Sequence, residues 1–205
     1  VNPVDTKLRR HAPPPAGQPR VLGYDVAGVV EAVGPDVTAF APGQRVMYAG
    51  DRNRPGGNAE FQCVDERLVG RMPATLDFAD AAALPLTTIT AWEALFDRLQ
   101  LPLRGQGAAG TLLITAGAGG VGSIAIQLAR ALADLRIVAT ASRPASREHA
   151  LALGADLVLD HAQPLPAQLA DAGIRWVERI FSISHTDAHF AELAKAIAPF
   201  GRLCV

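Results

Sequence analysis

Gly117-Ala118-Gly119-Gly120-Val121-Gly122 follows a short apolar run at 111–116 and opens a segment with helical periodicity. Val121, Ile124, Ala125, Leu128, Ala129 and Leu132 recur on one face, leaving Ser123, Gln127, Arg130 and Asp134 outside it. Strand, G-x-G-x-x-G turn and amphipathic helix, in that order, form the phosphate-binding turn of a doubly wound fold. The first glycine permits the tight turn, the second lets backbone amides approach a pyrophosphate, and the third allows close helix–strand packing. The positive end of the helix dipole favours the anion. The bland alternative is a glycine-rich strand–helix turn that holds no ligand.

Working outward, the same rhythm continues. Strands are expected at 136–141, 156–160, 177–183 and 202–205, and helices at 145–153, around 167–172 and at 187–198. Gly154 supplies a left-handed stop to the first of these helices. Strands alternating with helices of this length need crossover connections, hence an α/β fold with a parallel sheet. The first ~85 residues have a different texture. Short β-type runs such as Val26-Ala27-Gly28-Val29-Val30 and Gln44-Arg45-Val46-Met47-Tyr48 are separated by Pro13-Pro14-Pro15, Gly34-Pro35-Asp36, Pro42-Gly43 and Pro55-Gly56-Gly57-Asn58. They imply a compact, mostly antiparallel β domain over 1–85, followed by a nucleotide-binding domain over 86–205. No helix of useful length is expected before Asp77. From Phe78 through Leu99 the pattern turns helical, with a break at Pro85.

Composition narrows the partners. Among 205 residues, Lys plus Arg is 19 and Asp plus Glu is 20, for a net charge of −1. With no basic run or stripe, nucleic acid is not an expected partner. Cys63 and Cys204 cannot form a disulfide framework and suit a reducing compartment. Apolar runs fall short of the ~20 residues of a spanning helix, and no secretory leader opens the chain. A soluble, cytoplasmic protein without a membrane partner is the expectation. The chain starts at Val1 and stops in what reads as a mid-sheet strand, so a portion of a longer protein is also expected.

The end of the second strand of the nucleotide-binding domain selects the cofactor. An NAD site places an acid about 20 residues after the glycines. Here the segment is Ala139-Thr140-Ala141-Ser142-Arg143-Pro144, with no acid. Arg143 can pair with a 2′-phosphate and Ser142 can donate to it, which favours NADP(H) over NAD(H). The alternative for Arg143 is a solvated side chain at a helix start.

Several further segments resemble the medium-chain dehydrogenase/reductase superfamily. They are Asn2-Pro3-Val4-Asp5, Gly23-Tyr24-Asp25-Val26-Ala27-Gly28-Val29-Val30, Gly43-Gln44-Arg45-Val46, Gly57-Asn58-Ala59-Glu60-Phe61 and the run from Leu84 to Leu95. Together with the glycine turn they span nearly the whole chain in the family's order. The nearest subgroup is that of quinone oxidoreductases and zinc-type alcohol dehydrogenase-like proteins. The resemblance implies a GroES-like catalytic domain before a Rossmann domain, and it leaves room for a homodimer through the Rossmann sheet edge. Zinc-dependent members take ligands from a Cys, a His and a further Cys or acid. The matching positions hold Asn2, Tyr24 and, approximately, Leu86, which do not compose a tetrahedral site. The family's four-cysteine lobe is missing as well, so zinc is not expected. His185 and His189 stand at i,i+4 and invite a metal reading, but a solvent-facing pair at a helix start is preferred.

Without a Lewis acid to hold an alkoxide, reduction of an already electrophilic small molecule fits better than alcohol oxidation. The resemblance then points to hydride transfer from NADPH to a quinone or an α,β-unsaturated carbonyl. Asn2 would offer an amide donor near the nicotinamide, and Tyr24 or Tyr48 a hydroxyl to the substrate oxygen, with Asn2 and Tyr48 preferred. Asp5 matches a cleft position. Thr90 matches a contact to the nicotinamide ribose, and the loop Phe181-Ser182-Ile183-Ser184 places Ser182 near the same end of the cofactor. Trp92 and Trp176 are expected in the core rather than stacked on a cofactor. Two other readings stay open: a metal-retaining NADP-dependent alcohol dehydrogenase, and a dinucleotide-binding protein without catalysis.

Overall fold

The computed structural model describes residues 1–107 and 110–205. These form two compact units, Val1–Ile89 and Thr90–Val205, and the division falls inside the helix Pro85–Trp92.

The first unit opens with a helix, α1 (Pro3–His11), where none was expected. Its start is written in Asn2 at the N-cap, Pro3 in the first turn and Asp5, whose carboxylate accepts the Asn2 backbone N–H at 2.7 Å. Arg9, Arg10 and His11 occupy the last turn, where cations suit the dipole. Only Asp5 of the helix is buried, so α1 has no apolar stripe for periodicity to detect. Three short strands follow: β1 (Asp25–Val29), β2 (Arg45–Ala49) and β3 (Gly70–Arg71). They make an antiparallel sheet in the order β1-β2-β3, with Asp25 opposite Ala49 and Val46 opposite Arg71. The segment before β1 is laced to the Pro-Gly-Gly-Asn turn by hydrogen bonds from Gly56, Gly57 and Asn58 to the carbonyls of Val21, Gly23 and Leu22. A Cβ on Gly56 would lie 2.3 Å from the Leu22 carbonyl carbon, so only glycine permits this approach. Helix α2 (Phe78–Ala82) is capped by Asp77, whose carboxylate accepts from the Asp80 N–H at 2.8 Å. Helix α3 (Pro85–Trp92) runs into a π-helical turn, Glu93–Arg98.

The second unit alternates strictly: β4 (Thr111–Ile114), α4 (Gly120–Leu132), β5 (Arg136–Thr140), α5 (Pro144–Ala152), β6 (Leu157–Leu159), α6 (Leu165–Asp171), β7 (Val177–Phe181), α7 (Thr186–Ala196) and β8 (Ile197–Cys204). The strands form one parallel sheet in the order β6-β5-β4-β7-β8. Side-chain alternation sorts the core into two layers. Leu112, Ile114, Ile137 and Ala139 pack with Ala125, Ile126 and Ala129 of α4 on one face. Leu113, Val138 and Ile180 pack with Leu165, Leu169 and Leu193 of α6 and α7 on the other. This is the expected α/β architecture, buried on both faces of the sheet.

Two details depart from expectation. Helix α7 ends at Ala196 and β8 begins at once, earlier than the expected strand at 202–205. The early part of β8 is irregular: its register against β7 shifts between Val177 and Arg179, Phe200 has φ +62°, and the Phe200 side chain is fully exposed. Trp92 and Trp176 are not core residues. They are 45% and 39% exposed, Trp92 leaning on Phe96 with ring centroids 4.7 Å apart and Trp176 covered by the Arg175 guanidinium at 4.2 Å. An indole can satisfy its apolar face on one neighbour at an element end without entering the interior. No helix among the described residues is long and apolar enough to cross a membrane.

Candidate functional site

The chemistry-bearing residues gather at two places, one in each unit. In the second unit, β4 sits where the sheet's winding reverses, with β5 on one side and β7 on the other. Ligands of doubly wound sheets bind outside the carboxyl ends of strands at such a point. The chain leaves β4 through Ala116, whose φ of +51° turns it sharply, and reaches α4 with Gly119 as N-cap. The glycines divide by task. A Cβ on Gly117 would stand 2.7 Å from the Ala139 Cβ, and one on Gly122 only 2.4 Å from the Ala116 carbonyl oxygen, so both are required by strand–helix packing. Gly119 is different. Its φ of −78° suits any residue, and its Cβ would come no nearer than 3.3 Å to the Ala116 oxygen. Gly119 and Gly120 are exposed and Val121 half-buried, and no side chain caps α4. The helix therefore presents its first amides outward at its positive end, the arrangement that receives a phosphate.

Beyond β5, Ser142 and Arg143 are both exposed, with Arg143 at the N-cap of α5. Among the described residues the Arg143 guanidinium makes no ion pair, while the neighbouring Arg147 is committed to the carbonyls of Ala141 and Val158. Ser182, expected near the nicotinamide end of a cofactor, has its side chain engaged within the protein. Its hydroxyl is buried and shares a 2.8 Å hydrogen bond with Thr186, because the residue faces inward at the end of β7. Ser184, two residues on, lines a cavity of about 210 Å³ with Thr115, Thr140, His161, His185 and His189. His189 is half-buried with its ring edge-on to His161 at 5.9 Å, so the expected solvent-facing pair is only partly observed: His185 alone is exposed. Among the described residues no three His, Cys, Asp or Glu side chains are grouped so that they could hold a metal ion. Thr90 is exposed on α3.

In the first unit the structure brings together the three positions matched to zinc ligands, and the hub is Asp25, which sequence reasoning passed over. Its Oδ2 accepts from the Asn2 side-chain amide at 2.6 Å and its Oδ1 from the Leu86 backbone N–H at 2.7 Å. Asp5 ties the same region, accepting from the backbone N–H groups of Asn2 and Gly23. Asn2 is buried, and one of its two amide hydrogens is thereby committed to Asp25 rather than open to a ligand. The donor set here is an amide, a phenol, an aliphatic side chain and two carboxylates, Asp5 and Asp25, each already accepting two hydrogen bonds. It does not suit a tetrahedral zinc ion. The signal that could have found Asp25 was its place directly after Tyr24, where a second acidic ligand or partner would fall.

The two tyrosines differ sharply. Tyr48 is buried, and its hydroxyl donates to Gln62 Oε1 at 2.8 Å. Gln62 must offer its oxygen there, because its Nε2 donates to the Pro55 carbonyl at 2.6 Å. Burial, with a smaller contribution from Cys63, holds the Tyr48 phenol above its ordinary pKa. Tyr48 also lines a broad groove of about 550 Å³ with Val26, Phe61, Gln62 and Cys63. Tyr24 is 2% exposed, and its hydroxyl has no hydrogen-bond partner among the described residues.

Comparison with known proteins identifies the family. Residues 1–74 match the family model of the alcohol dehydrogenase GroES-like domain, and residues 120–205 that of the zinc-binding dehydrogenases. A zinc-type alcohol dehydrogenase-like protein of Staphylococcus aureus is 44% identical over 99% of this chain and 60% of its own length. The crystal structure of a protein from Rhizobium etli assigned to zinc-dependent alcohol dehydrogenases is 58% identical, with a TM-score of 0.94 over all of this chain and 59% of that one. The Escherichia coli quinone oxidoreductase complexed with NADPH is 27% identical, with a TM-score of 0.81 over 99% of this chain and 60% of that one. The chain thus spans about 60% of the length of these relatives. The order of its two domains, the glycine turn and these likenesses together make the chain a member of the medium-chain dehydrogenase/reductase superfamily.

Proposed function

We propose that the chain belongs to an oxidoreductase that uses NADPH to reduce a quinone or an α,β-unsaturated carbonyl compound without a metal. The carrying observation is the exposed start of α4 behind Gly119, with no side-chain cap among the described residues, followed after β5 by Arg143, which makes no ion pair among them, in a segment without an acid. The amides of α4 would hold the pyrophosphate, and Ser142 and Arg143 the 2′-phosphate, where an acid would repel it. When bound, the nicotinamide supplies the hydride. The protein's share is to orient the acceptor and stabilise charge as it develops on oxygen. The NADPH complex of the E. coli quinone oxidoreductase supports the choice of cofactor and acceptor class.

The metal-free part rests on the donor set at Asn2, Asp5, Tyr24, Asp25 and Leu86, where each of the two carboxylates already accepts two hydrogen bonds. The names of the S. aureus and R. etli relatives favour the competing zinc-dependent alcohol dehydrogenase. The experiment follows NADPH consumption by the full-length protein with simple quinones and alkenals, beside elemental analysis for zinc. Turnover with less than 0.1 zinc per chain, roughly the assay floor, is the expected result; stoichiometric zinc with alcohol oxidation would establish the competitor. NADPH binding without turnover of any acceptor would leave a dinucleotide-binding protein.

A further inference from the structure

We infer that His149 is a positioning residue for the cofactor: through Ser123 it sets how far the start of α5, with Arg143, stands from the start of α4. The inference rests on the two phosphate sites proposed above. A dinucleotide gripped by two helix starts binds well only when their spacing matches that of its own phosphates. Whatever fixes that spacing therefore acts on affinity.

Among the described residues, side chains of α4 tie it to α5 and the turn after it at two places. Toward the phosphate end, Ser123 Oγ and His149 Nε2 share a hydrogen bond at 3.2 Å. Toward the far end, Arg130 of α4 donates to the Gly154 carbonyl at 3.0 Å from Nε and 2.7 Å from Nη2. The same guanidinium pairs with Asp156 at 2.6 Å, and Asp156 accepts the Ile137 N–H of β5. This charged tie is the stronger of the two and makes Gly154 a pivot. Arg147 holds α5 to the strand ends through the carbonyls of Ala141 and Val158, which does not set its distance from α4. Ala150 is the one buried residue of α5, so packing gives the helix only a small contact on which to tilt.

Leverage makes the near tie matter. At a rise of about 1.5 Å per residue, His149 stands ~8 Å and Arg143 ~17 Å along α5 from Gly154. A splay of about 0.5 Å at His149 therefore becomes about 1 Å at Arg143, enough to carry a charge-assisted bond of about 2.8 Å out of range. The 2′-phosphate contact suffers, whereas the amides of α4 are untouched.

The test titrates NADPH and NADH into the full-length protein. His149→Ala should weaken NADPH binding about fivefold and NADH binding less than about twofold. His149→Gln, whose amide nitrogen can reach Ser123 in place of Nε2, should restore most of the loss. Added to Arg143→Ala, His149→Ala should cost nothing more, because His149 acts through Arg143. Wild-type affinity in His149→Ala, equal losses for both dinucleotides, no rescue by His149→Gln, or a further loss in the Arg143→Ala background would each overturn the inference and leave the cofactor assignment standing. A lower melting temperature with parallel loss of both dinucleotides would make His149 merely structural and also overturn it. Wild-type protein that binds NADPH no tighter than NADH would overturn the 2′-phosphate site itself, and the inference with it.

Discussion

The Asn2 side-chain amide donates to Asp25 Oδ2 across 2.6 Å, joining the start of α1 to the start of β1. The same carboxylate holds the Leu86 N–H, so one side chain fastens three separate segments of the first unit.

Asp25→Ala would strand both donors, one of them on a buried residue. The expected loss is about 2–6 kcal/mol, the sum of two groups at about 1–3 kcal/mol each. Asp25→Asn keeps one acceptor oxygen and should lose less. Urea unfolding of the full-length protein reads this as a lower midpoint at unchanged slope. Equal stability of wild type and Asp25→Ala would show the network to be ornamental.

The second unit was legible because its signals are local and repeat. Each strand–helix alternation restates the parallel topology, and Gly117 to Gly122 announces itself in six consecutive residues. The first unit was harder to read. Helix α1 has capping chemistry but no apolar face, and Asp25 acquires its meaning only through residues 23 positions before it and 61 after it. Tyr24 and Tyr48 look alike as sequence, and only the Gln62 amide, oriented by the Pro55 carbonyl, separates them. The partner of the Ser182 hydroxyl, Thr186, lies beyond the strand on the next helix, a pairing that no local pattern announces.

Arg143→Ala should weaken NADPH binding by ~1–3 kcal/mol, about 5- to 150-fold, through loss of a charge-assisted pair. NADH binding should change by less than about twofold, since that cofactor carries no 2′-phosphate. Paired fluorescence titrations decide the matter. An equal loss for both dinucleotides would remove Arg143 from phosphate recognition.

Tyr48 gives the fold an alkaline weakness. Burial raises its pKa in the folded state, whereas an unfolded tyrosine titrates near ~10. Stability from this residue is therefore complete below about pH 10 and is lost as pH climbs through the folded-state value, since the unfolded chain releases the proton first. Melting temperatures taken from about pH 8 to 11 should drop more steeply for wild type than for Tyr48→Phe. Parallel curves would mean that burial of the phenol does not couple to folding.

Gly119 and Gly122 lie three residues apart and should fail in opposite ways. At Gly122 a methyl group meets the Ala116 carbonyl oxygen at 2.4 Å and the Gly117 Cα at 2.8 Å, both backbone atoms that cannot swing aside. Gly122→Ala should destabilise the second unit by about 1–3 kcal/mol or more through overpacking. At Gly119 the backbone already has a conformation that valine accepts, and the nearest obstacle is at 3.3 Å. Gly119→Val should fold with a loss of about 1 kcal/mol for a poorer N-cap, yet its isopropyl group would cover the amides that a pyrophosphate must reach. Dinucleotide titration and thermal melting on the same preparations separate the two. Undiminished binding by a well-folded Gly119→Val variant would show that phosphate does not settle on the start of α4.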